Sequence, residues 1–324
     1  MNPNDSSPIQ RRDYLKWMGA AGLAATGVSG HAQSAWPNKP IRWIIPFAPG
    51  GTSSIVARGI AAQLFTEQKR HRSTEDLLQG VIIKGNAAPM EAAANMADGI
   101  LFRFWVTHTI ETSFIFVRKQ TPRIPAGVTI RAATAADVPQ MQAFQDREAP
   151  RRHGYPVYDF QKLMAGDPYY TGLRITDYAL AWRGDTLIGM LAGWDQKAYK
   201  QTRVMGFKPV IQALRPLYNL YVGMVGGFKL PPIGGALNYL TLYNVLIADD
   251  DPAIFQALID WVMAPQGQRY DALATAVTHG DPLETVPRGY KRQKLLSENL
   301  WMSYGEDPRP GMDARPLYAE LGRL

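Results

Sequence analysis

Cysteine is absent from the 324-residue sequence, and histidine is scarce. Without a thiol the chain cannot form a disulfide, use a cysteine nucleophile or hold a metal through thiolates. No two histidines have the spacing of neighbours on one helix face, so a catalytic metal would lack imidazole ligands. We therefore predict no metal site. The histidines are His31, His71, His108, His153 and His279.

Long hydrophobic runs and clusters of basic residues are missing as well. The weakly apolar stretch from Trp17 to Gly30 is shorter than the ~20 residues that a spanning helix needs. The formal net charge is +7, but lysine and arginine are dispersed and no nucleic-acid motif accompanies them. We predict no nucleic-acid partner and no stable membrane span.

The sequence has a basic stretch near its N-terminus. Arg11 and Arg12 precede the apolar stretch, and Ala32-Gln33-Ser34 ends it with the small-residue spacing of a cleavage site. The run RRDYLK (11–16) resembles the twin-arginine signal, which exports folded proteins. We predict a signal peptide over 1–34 and a periplasmic location. If the segment is only a basic amphipathic N-terminus, the protein stays in the cytoplasm.

Residues 35–66 contain a predicted strand, a loop and a helix. Ile41 to Phe47 is a short apolar run, and the sequence PGGTSS follows it. Thr52, Ser53 or Ser54 can cap the next helix, whose N–H groups and dipole favour an anion such as a carboxylate. The run KPIRWIIPFAPGG with IVAR resembles the start of the periplasmic receptors of tripartite tricarboxylate transporters. That resemblance implies a carboxylate ligand at Thr52, Ser53 and Ser54, although Ser54 stands where the family has an acidic residue.

The segment 67–121 has no assigned fold and is partly a linker, whereas 122–324 has a clear order of elements. Val128–Ala132 is a predicted strand, Thr134 or Asp137 starts a helix, and Arg183-Gly184-Asp185 turns a hairpin. A long strand and a helix capped by Asp251 follow within 237–263. Strands are predicted at 270–278, 295–304 and 317–321, and VGMVGG (222–227) is interpreted as a flexible turn.

Several motifs of this region resemble the C-terminal half of a bacterial protein group related to the GNAT acyltransferases. The motifs are WDQKAYKQTRV (194–204), RPLYNL (215–220), LPPIG (230–234), DDDPAIF (249–255) and RPLYAELGRL (315–324). The resemblance implies an α+β fold with a mixed sheet and flanking helices over about 122–324. It also implies acetyl-CoA as cofactor if the site is functional, and it makes 104–127 the last strand and linker of an upstream half.

The acetyl-CoA site itself departs from the family pattern. GNAT enzymes hold the CoA pyrophosphate on a glycine-rich loop between the long strand and the next helix, but this chain has IADDDPAIF there. A helix dipole contributes about 0.3–1 kcal/mol to anion binding. One carboxylate about 6 Å from a phosphate costs ~0.7 kcal/mol in water and ~3 kcal/mol at an intermediate dielectric. We predict that the three aspartates exclude acetyl-CoA, so that the domain has no cofactor.

Two further groups of residues are candidates for a site. Tyr290 lies about where the resemblance places a tyrosine general acid, but a packed tyrosine with a bonded hydroxyl also explains it. Trp194, Asp195, Gln196 and Lys197, with Lys200 and Gln201 nearby, could line a ligand pocket or end a strand through their own hydrogen bonds.

Three hypotheses follow from these patterns. The first is a GNAT N-acetyltransferase-like protein with a degenerate acetyl-CoA site, acting as a binding or structural module. The second is a periplasmic receptor that binds a carboxylate. The third is an inactive fusion of the two pieces. In the first two a small molecule, either a carboxylate or an acyl-CoA, is the predicted partner.

Overall fold

The computed structural model describes residues 77–85, 103–118, 120–225, 227–266, 269–303 and 306–323. Eight strands and five α-helices lie within these ranges. The strands are β1 (Leu77–Ile83), β2 (Arg103–Phe116), β3 (Val128–Ala132), β4 (Tyr178–Arg183), β5 (Thr186–Trp194), β6 (Tyr239–Ile247), β7 (Ala272–Thr278) and β8 (Arg292–Ser303). The helices are α1 (Val138–Glu148), α2 (Phe160–Met164), α3 (Pro209–Val225), α4 (Pro252–Met263) and α5 (Thr285–Arg288). Within the same ranges no helix is both long and apolar enough to cross a bilayer.

The strands form one mixed sheet in the order β1-β8-β2-β7-β6-β5-β4-β3. Neighbouring strands are antiparallel except β6 and β7, which are parallel. β1 and β2 come from the segment 67–121, to which the sequence assigned no fold. Because β2 lies between β7 and β8, the sheet continues N-terminal to residue 122, and the predicted boundary there does not coincide with an edge of the sheet.

The predicted strand at 128–132 and the helix after it are confirmed. Thr134 is the N-cap of a short 3-10 turn that leads directly into α1. Asp137 accepts hydrogen bonds from the Thr134 N–H and from the Arg131 guanidinium, both at 2.8 Å, which ties the helix start to the end of β3. The predicted apolar stripe of α1 is buried and consists of Val138, Met141 and Phe144.

The hairpin predicted around residues 183–185 is also confirmed. β4 and β5 are antiparallel, and Gly184 adopts a φ of 57° between them. Glycine tolerates this left-handed conformation because it has no Cβ to clash with the following carbonyl. The Arg-Gly-Asp tripeptide is therefore accounted for as the tight turn between two strands.

The long strand and its helix form as predicted. Asp251 caps α4 by accepting the Ala253 N–H at 2.9 Å, and Pro252 occupies the first position, where no hydrogen bond is lost. The buried stripe of α4 is the predicted one: Phe255, Leu258, Ile259 and Val262. This stripe packs on one face of the sheet with Ile115, Leu191 and Leu273. α1 and α2 cover the other face.

Two expectations differ from the structure. Residues 317–321 do not form a strand, because only Leu317 makes a β-bridge, an isolated one to His153. The Leu317 carbonyl accepts a hydrogen bond from the Thr278 hydroxyl instead of from a backbone N–H of a neighbouring strand. The turn predicted at 222–227 is wrong for its first part, since α3 continues to Val225. The sequence does carry a signal for this helix, since apolar residues recur at helical spacing from Val210 to Met224, although Pro216 lies within it.

Candidate functional site

The two parallel strands of the sheet diverge at their carboxyl ends. β6 pairs with β7 only through Tyr239, Leu240 and Thr241, and the rest of each strand separates from the other. In open sheets containing parallel strands, ligands bind outside the carboxyl ends at such a change of connection. The opening between the ends of β6 and β7 is therefore a candidate ligand-binding site.

A bulge in β6 directs backbone N–H groups into this opening. Asn244 and Val245 stand opposite the single residue Leu191 of β5, and Asn244 has a φ of 52° although it is not a glycine. Adjacent N–H groups that point to one place can bind an anion or a carbonyl oxygen. Here the Asn244 N–H donates to Glu320 Oε2 and the Val245 N–H to the Tyr318 hydroxyl, each at 2.9 Å.

The C-terminal segment, residues 316–323, contacts both strands where they diverge. Tyr318 and Glu320 bind the bulge of β6, while the Thr278 hydroxyl at the end of β7 donates to the Leu317 carbonyl at 2.8 Å. The segment is anchored further by the Tyr318 N–H, which donates to the His153 carbonyl. The opening between the strands is thus filled by the chain itself.

Glu320 is a buried carboxylate surrounded by donors. It accepts hydrogen bonds from the Tyr158 hydroxyl at 2.6 Å, the Tyr318 hydroxyl at 3.0 Å, the Asn244 N–H and the Gly322 N–H. No cationic group of the described residues forms an ion pair with it. Burial raises the pKa of Glu320 above its usual 4.5, and the four donors oppose that rise only in part.

A cluster of buried tyrosines surrounds this carboxylate. The hydroxyls of Tyr158 and Tyr318 donate to Glu320, and that of Tyr155 donates to Asn244 Oδ1. Tyr178 accepts the Asn244 amide at 3.4 Å, and the Tyr243 hydroxyl has no partner among the described residues. Burial raises the pKa of each tyrosine, so that they stay protonated. The rings of Tyr158 and Tyr243 lie 5.0 Å apart, centroid to centroid. Neutral phenols packed in this way fill space and donate hydrogen bonds. The cluster comprises Tyr155, Tyr158, Tyr178, Tyr243 and Tyr318.

The junction between β6 and α4 holds the three aspartates that the sequence singled out. Asp249 and Asp250 have φ values of 53° and 51°, and Asp251 is the helix cap. The Asp250 carboxylate binds the Arg152 guanidinium, and Asp249 binds Arg151 at 3.2 Å. No glycine-rich loop surrounds the helix N-terminus.

Arg152 joins the ends of the two parallel strands. Its guanidinium binds Asp250 after β6 and Asp281 after β7, the latter at 2.5 Å. The side chains of Arg152 and Asp281 are only 5% and 4% exposed, so this pair is removed from water. Burial alone would lower the pKa of Arg152, but the two carboxylates reverse the effect and raise it. Arg152 is therefore held as a cation between the two strands.

These arginines correct the electrostatic argument made from the sequence. From the sequence alone, all three aspartates at the junction are expected to be unpaired. In the structure Arg151 neutralises Asp249 and Arg152 neutralises Asp250. Repulsion of a phosphate is consequently weaker than predicted. A pyrophosphate is disfavoured at this helix N-terminus chiefly because the groups that would bind it are already occupied. The Ala253 N–H donates to Asp251, and the Arg152 guanidinium binds Asp281.

A cavity of about 310 Å³ lies beside this cluster, at the carboxyl end of β7. His108 in β2 and His279 line it together with Asp281 and Asp313. His108 Nδ1 has no hydrogen-bond partner, and burial lowers the pKa of that imidazole. Asp313 binds His153 Nε2 at 2.8 Å and Arg315 at 2.9 Å, so its charge is compensated. The cavity is of a size for a small polar molecule.

Tyr290, the predicted general acid, lies away from the opening between β6 and β7. Its hydroxyl donates to Asp260 at 2.6 Å, and Asp260 is fully buried and also binds Arg123 at 2.8 Å. Asp260 is eight residues along α4 from Pro252, or about 12 Å from the start of the helix. Burial, and then the hydrogen bond to Asp260, raises the pKa of Tyr290. This environment favours a packed structural tyrosine, and the catalytic role stays a prediction.

The polar and aromatic cluster at the end of β5 is bonded internally. The Trp194 indole N–H donates to the Thr171 carbonyl at 3.0 Å, and the Gln196 amide donates to the Gly322 carbonyl at 2.9 Å. Asp195 accepts the Tyr270 hydroxyl at 2.8 Å and the Lys197 N–H at 3.0 Å. These contacts fit a strand end bonded mainly to its own chain, although the buried Gln196 Oε1 has no hydrogen-bond partner among the described residues. A ligand role for Trp194, Asp195, Gln196 and Lys197 stays a prediction.

The other predicted site residues, Thr52, Ser53 and Ser54, lie outside the described residues, as does the predicted signal. The described part of the chain contains no group of three or more acidic or imidazole side chains that could hold a metal. Sequence reasoning missed Arg152, Tyr318 and Glu320. One signal was available for Glu320, since a single carboxylate in the apolar run LYAEL is the pattern of a buried, hydrogen-bonded acid.

No family model matches the sequence, and no curated protein matches it significantly. Solved structures match the fold. An N-acetyltransferase related to GCN5 from Sphaerobacter thermophilus is 11% identical with a TM-score of 0.46, over 83% of this chain and 70% of that one. A putative GNAT acetyltransferase from Novosphingobium aromaticivorans is 13% identical with a TM-score of 0.39, over 75% and 80%. A tandem GNAT protein of the clavulanic acid biosynthesis pathway is 10% identical with a TM-score of 0.43, over 80% and 73%.

At such identities and TM-scores these matches carry no argument about activity, and the fold class rests on the sheet itself. The GNAT resemblance implies the order strand, helices, hairpin, long strand, helix, strand and two late strands. The structure has this order as far as Ser303 and lacks the last strand, which was predicted at 317–321. The predicted α+β, GNAT-like mixed sheet with flanking helices is confirmed for the described residues. The receptor-like fragment predicted before it lies outside them.

Proposed function

We propose that this chain is a degenerate GNAT-like domain that neither binds acetyl-CoA at the junction of β6 and α4 nor transfers an acyl group. One observation carries the proposal. The opening between the carboxyl ends of β6 and β7 is filled by Arg152 and by Tyr318 and Glu320 of the C-terminal segment. The domain then serves as a stable scaffold or binding module.

Displacing these residues would be costly. Removing Tyr318 and Glu320 from the bulge would leave the N–H groups of Asn244 and Val245 without acceptors in a buried site. Each unsatisfied buried donor costs about 1–3 kcal/mol. Moving Arg152 would also leave Asp281 buried and unpaired. A ligand must compensate all of these losses before it gains any net affinity.

Acetyl-CoA is therefore expected to give no heat of binding in isothermal titration with the full chain at micromolar protein. Because the sequence has no cysteine, release of CoA from acetyl-CoA can be followed with a thiol reagent without background from the protein. We expect no thiol release above the rate without protein, with spermidine, glucosamine or a peptide amine as acceptor.

The variant Asp249→Gly is the matched control. It removes a carboxylate at the junction that binds only the exposed Arg151, and it leaves Arg152, Tyr318 and Glu320 in place, so it should remain unable to bind acetyl-CoA if occupancy excludes the ligand. Binding by this variant alone would assign the exclusion to charge instead. A one-to-one isotherm with the unmodified chain would refute the proposal.

For the N-terminus we propose export through the twin-arginine signal at 1–34. The observation in support is the run RRDYLK ahead of a short apolar stretch. The full chain should appear in the periplasmic fraction of a bacterial host, and Arg11→Lys/Arg12→Lys should leave it in the cytoplasm. Equal fractionation of both proteins would rule out the signal. Export is the prerequisite for the receptor alternative.

A further inference from the structure

The stretch that contains α3 and β6 carries charge of only one sign. From Gln196 to Ala248 the sequence has no aspartate or glutamate and has six basic residues. Four of them, Arg203, Lys208, Arg215 and Lys229, form no ion pair with any described residue. The six are Lys197, Lys200, Arg203, Lys208, Arg215 and Lys229.

The same segment exposes an apolar stripe on α3. Its members follow one another at intervals of four and three residues, so they share one face of the helix over its length of about 25 Å. Leu217 is 66% and Met224 73% exposed. Such a continuous apolar face is unusual on a folded surface and indicates a contact. The stripe consists of Val210, Leu214, Leu217, Tyr221 and Met224.

The opposite face of α3 holds the helix to the protein. Asn219 lies about half a turn away from the stripe, and its amide group binds both the N–H and the carbonyl of Leu230, at 2.9 and 2.8 Å. Val222 is the buried residue of this side. The helix is thus fixed with its apolar stripe pointing outward. Met205 and Ile233, in the loops on either side, are exposed as well.

We propose that α3 is a docking surface for an anionic lipid surface, with the stripe inserted at the level of the headgroups. An apolar helix face within a stretch whose charged residues are all basic is the physical pattern of a helix that lies in a membrane interface. The exposed Lys208 lies at the start of α3, whereas Arg215 lies on the side of the helix away from the stripe. Each basic residue close to such a surface adds to the attraction. This surface is independent of the acetyl-CoA question.

The charge pattern argues against a second copy of the chain as occupant. A symmetric pair would place the same patch on both sides, so the two copies of Lys208 would approach each other with no acidic residue between 196 and 248 to balance them. The stripe also offers no hydrogen-bonding side chain except the Tyr221 hydroxyl to fix the register of a protein partner. A lipid surface requires no such register.

The test is sedimentation of the full chain with vesicles. We expect binding to vesicles of about one third phosphatidylserine in phosphatidylcholine to be at least about tenfold tighter than to pure phosphatidylcholine, and to weaken with salt. Leu217→Ser/Met224→Ser and Lys208→Glu should each weaken it by about tenfold or more. Leu217, Met224 and Lys208 are exposed, so the variants should unfold at the temperature of the parent chain.

Val157→Ser and Arg183→Glu are matched controls, since both residues are exposed and lie outside α3. They should bind like the parent. The predicted signal at 1–34 is identical in all of these proteins, so differences between them report on α3. Equal binding of all variants, or no preference for phosphatidylserine, would overturn the proposal. Two other results would also overturn it. One is self-association of the parent chain that Leu217→Ser/Met224→Ser abolishes, and the other is binding of poly-glutamate without binding of vesicles.

Discussion

Arg152→Met is expected to lower the free energy of unfolding by about 3–5 kcal/mol, measured by urea denaturation at neutral pH. The substitution keeps an unbranched apolar stem but removes the cation between Asp250 and Asp281. Asp281 is 4% exposed, so its charge cannot be compensated by water. Breaking a buried ion pair from one side leaves an unpaired buried charge, which is the costly outcome.

Arg151→Met is the matched control at the adjacent position. Arg151 is 54% exposed, and its partner Asp249 is 88% exposed, so this pair is screened by solvent. Arg151 also binds the buried Glu148 at 3.0 Å, but Glu148 keeps a second cation, Arg147, at 2.9 Å. We expect a loss below about 1 kcal/mol. A loss for Arg152→Met no larger than that for Arg151→Met would show that Arg152 does not hold the ends of β6 and β7 together.

The second large effect is expected at Glu320. Glu320→Ala should destabilise the protein by about 3 kcal/mol or more, because it leaves two buried hydroxyls and two buried N–H groups without their acceptor and opens a cavity. Glu306→Ala, at an exposed position, should change the free energy of unfolding by less than about 0.5 kcal/mol.

The pH dependence of Glu320→Gln tests the reason for this effect. The pKa of Glu320 is raised in the folded protein, so between its usual value of 4.5 and its folded value the folded state binds more protons than the unfolded state. Stability therefore falls with rising pH in that window. The free energy of unfolding of the parent minus that of Glu320→Gln should decrease as pH rises from about 4.5, then level off. An increase over the same range would mean that the donors around Glu320 outweigh its burial.

Local patterns predicted the elements, and they did so where the deciding contacts are close in sequence. Asp251 caps α4 through a residue two positions away, and the stripe of α1 follows from helical spacing within one segment. Such interactions need no knowledge of the remaining fold. The strands between 122 and 303, together with α1 and α4, followed from the same signals, whereas α3 was missed.

The site could not be predicted in the same way, because its contacts join distant residues. Arg152 meets Asp281, and Glu320 meets Asn244, only after the sheet has formed. The sequence showed the aspartates at the start of α4 but not the arginines that neutralise them. From the sequence alone we therefore expect charge repulsion to exclude acetyl-CoA. The structure indicates instead that the protein's own side chains occupy the place of the ligand.

The central claim is that the chain's own residues occupy the place of an acyl-CoA, and a crystal of the full chain soaked in coenzyme A tests it most directly. The account predicts Tyr318 and Glu320 on the bulge of β6, Arg152 between Asp250 and Asp281, and no diphosphate at the start of α4. A diphosphate seated at the Ala253 N–H, with the C-terminal segment displaced, would contradict it.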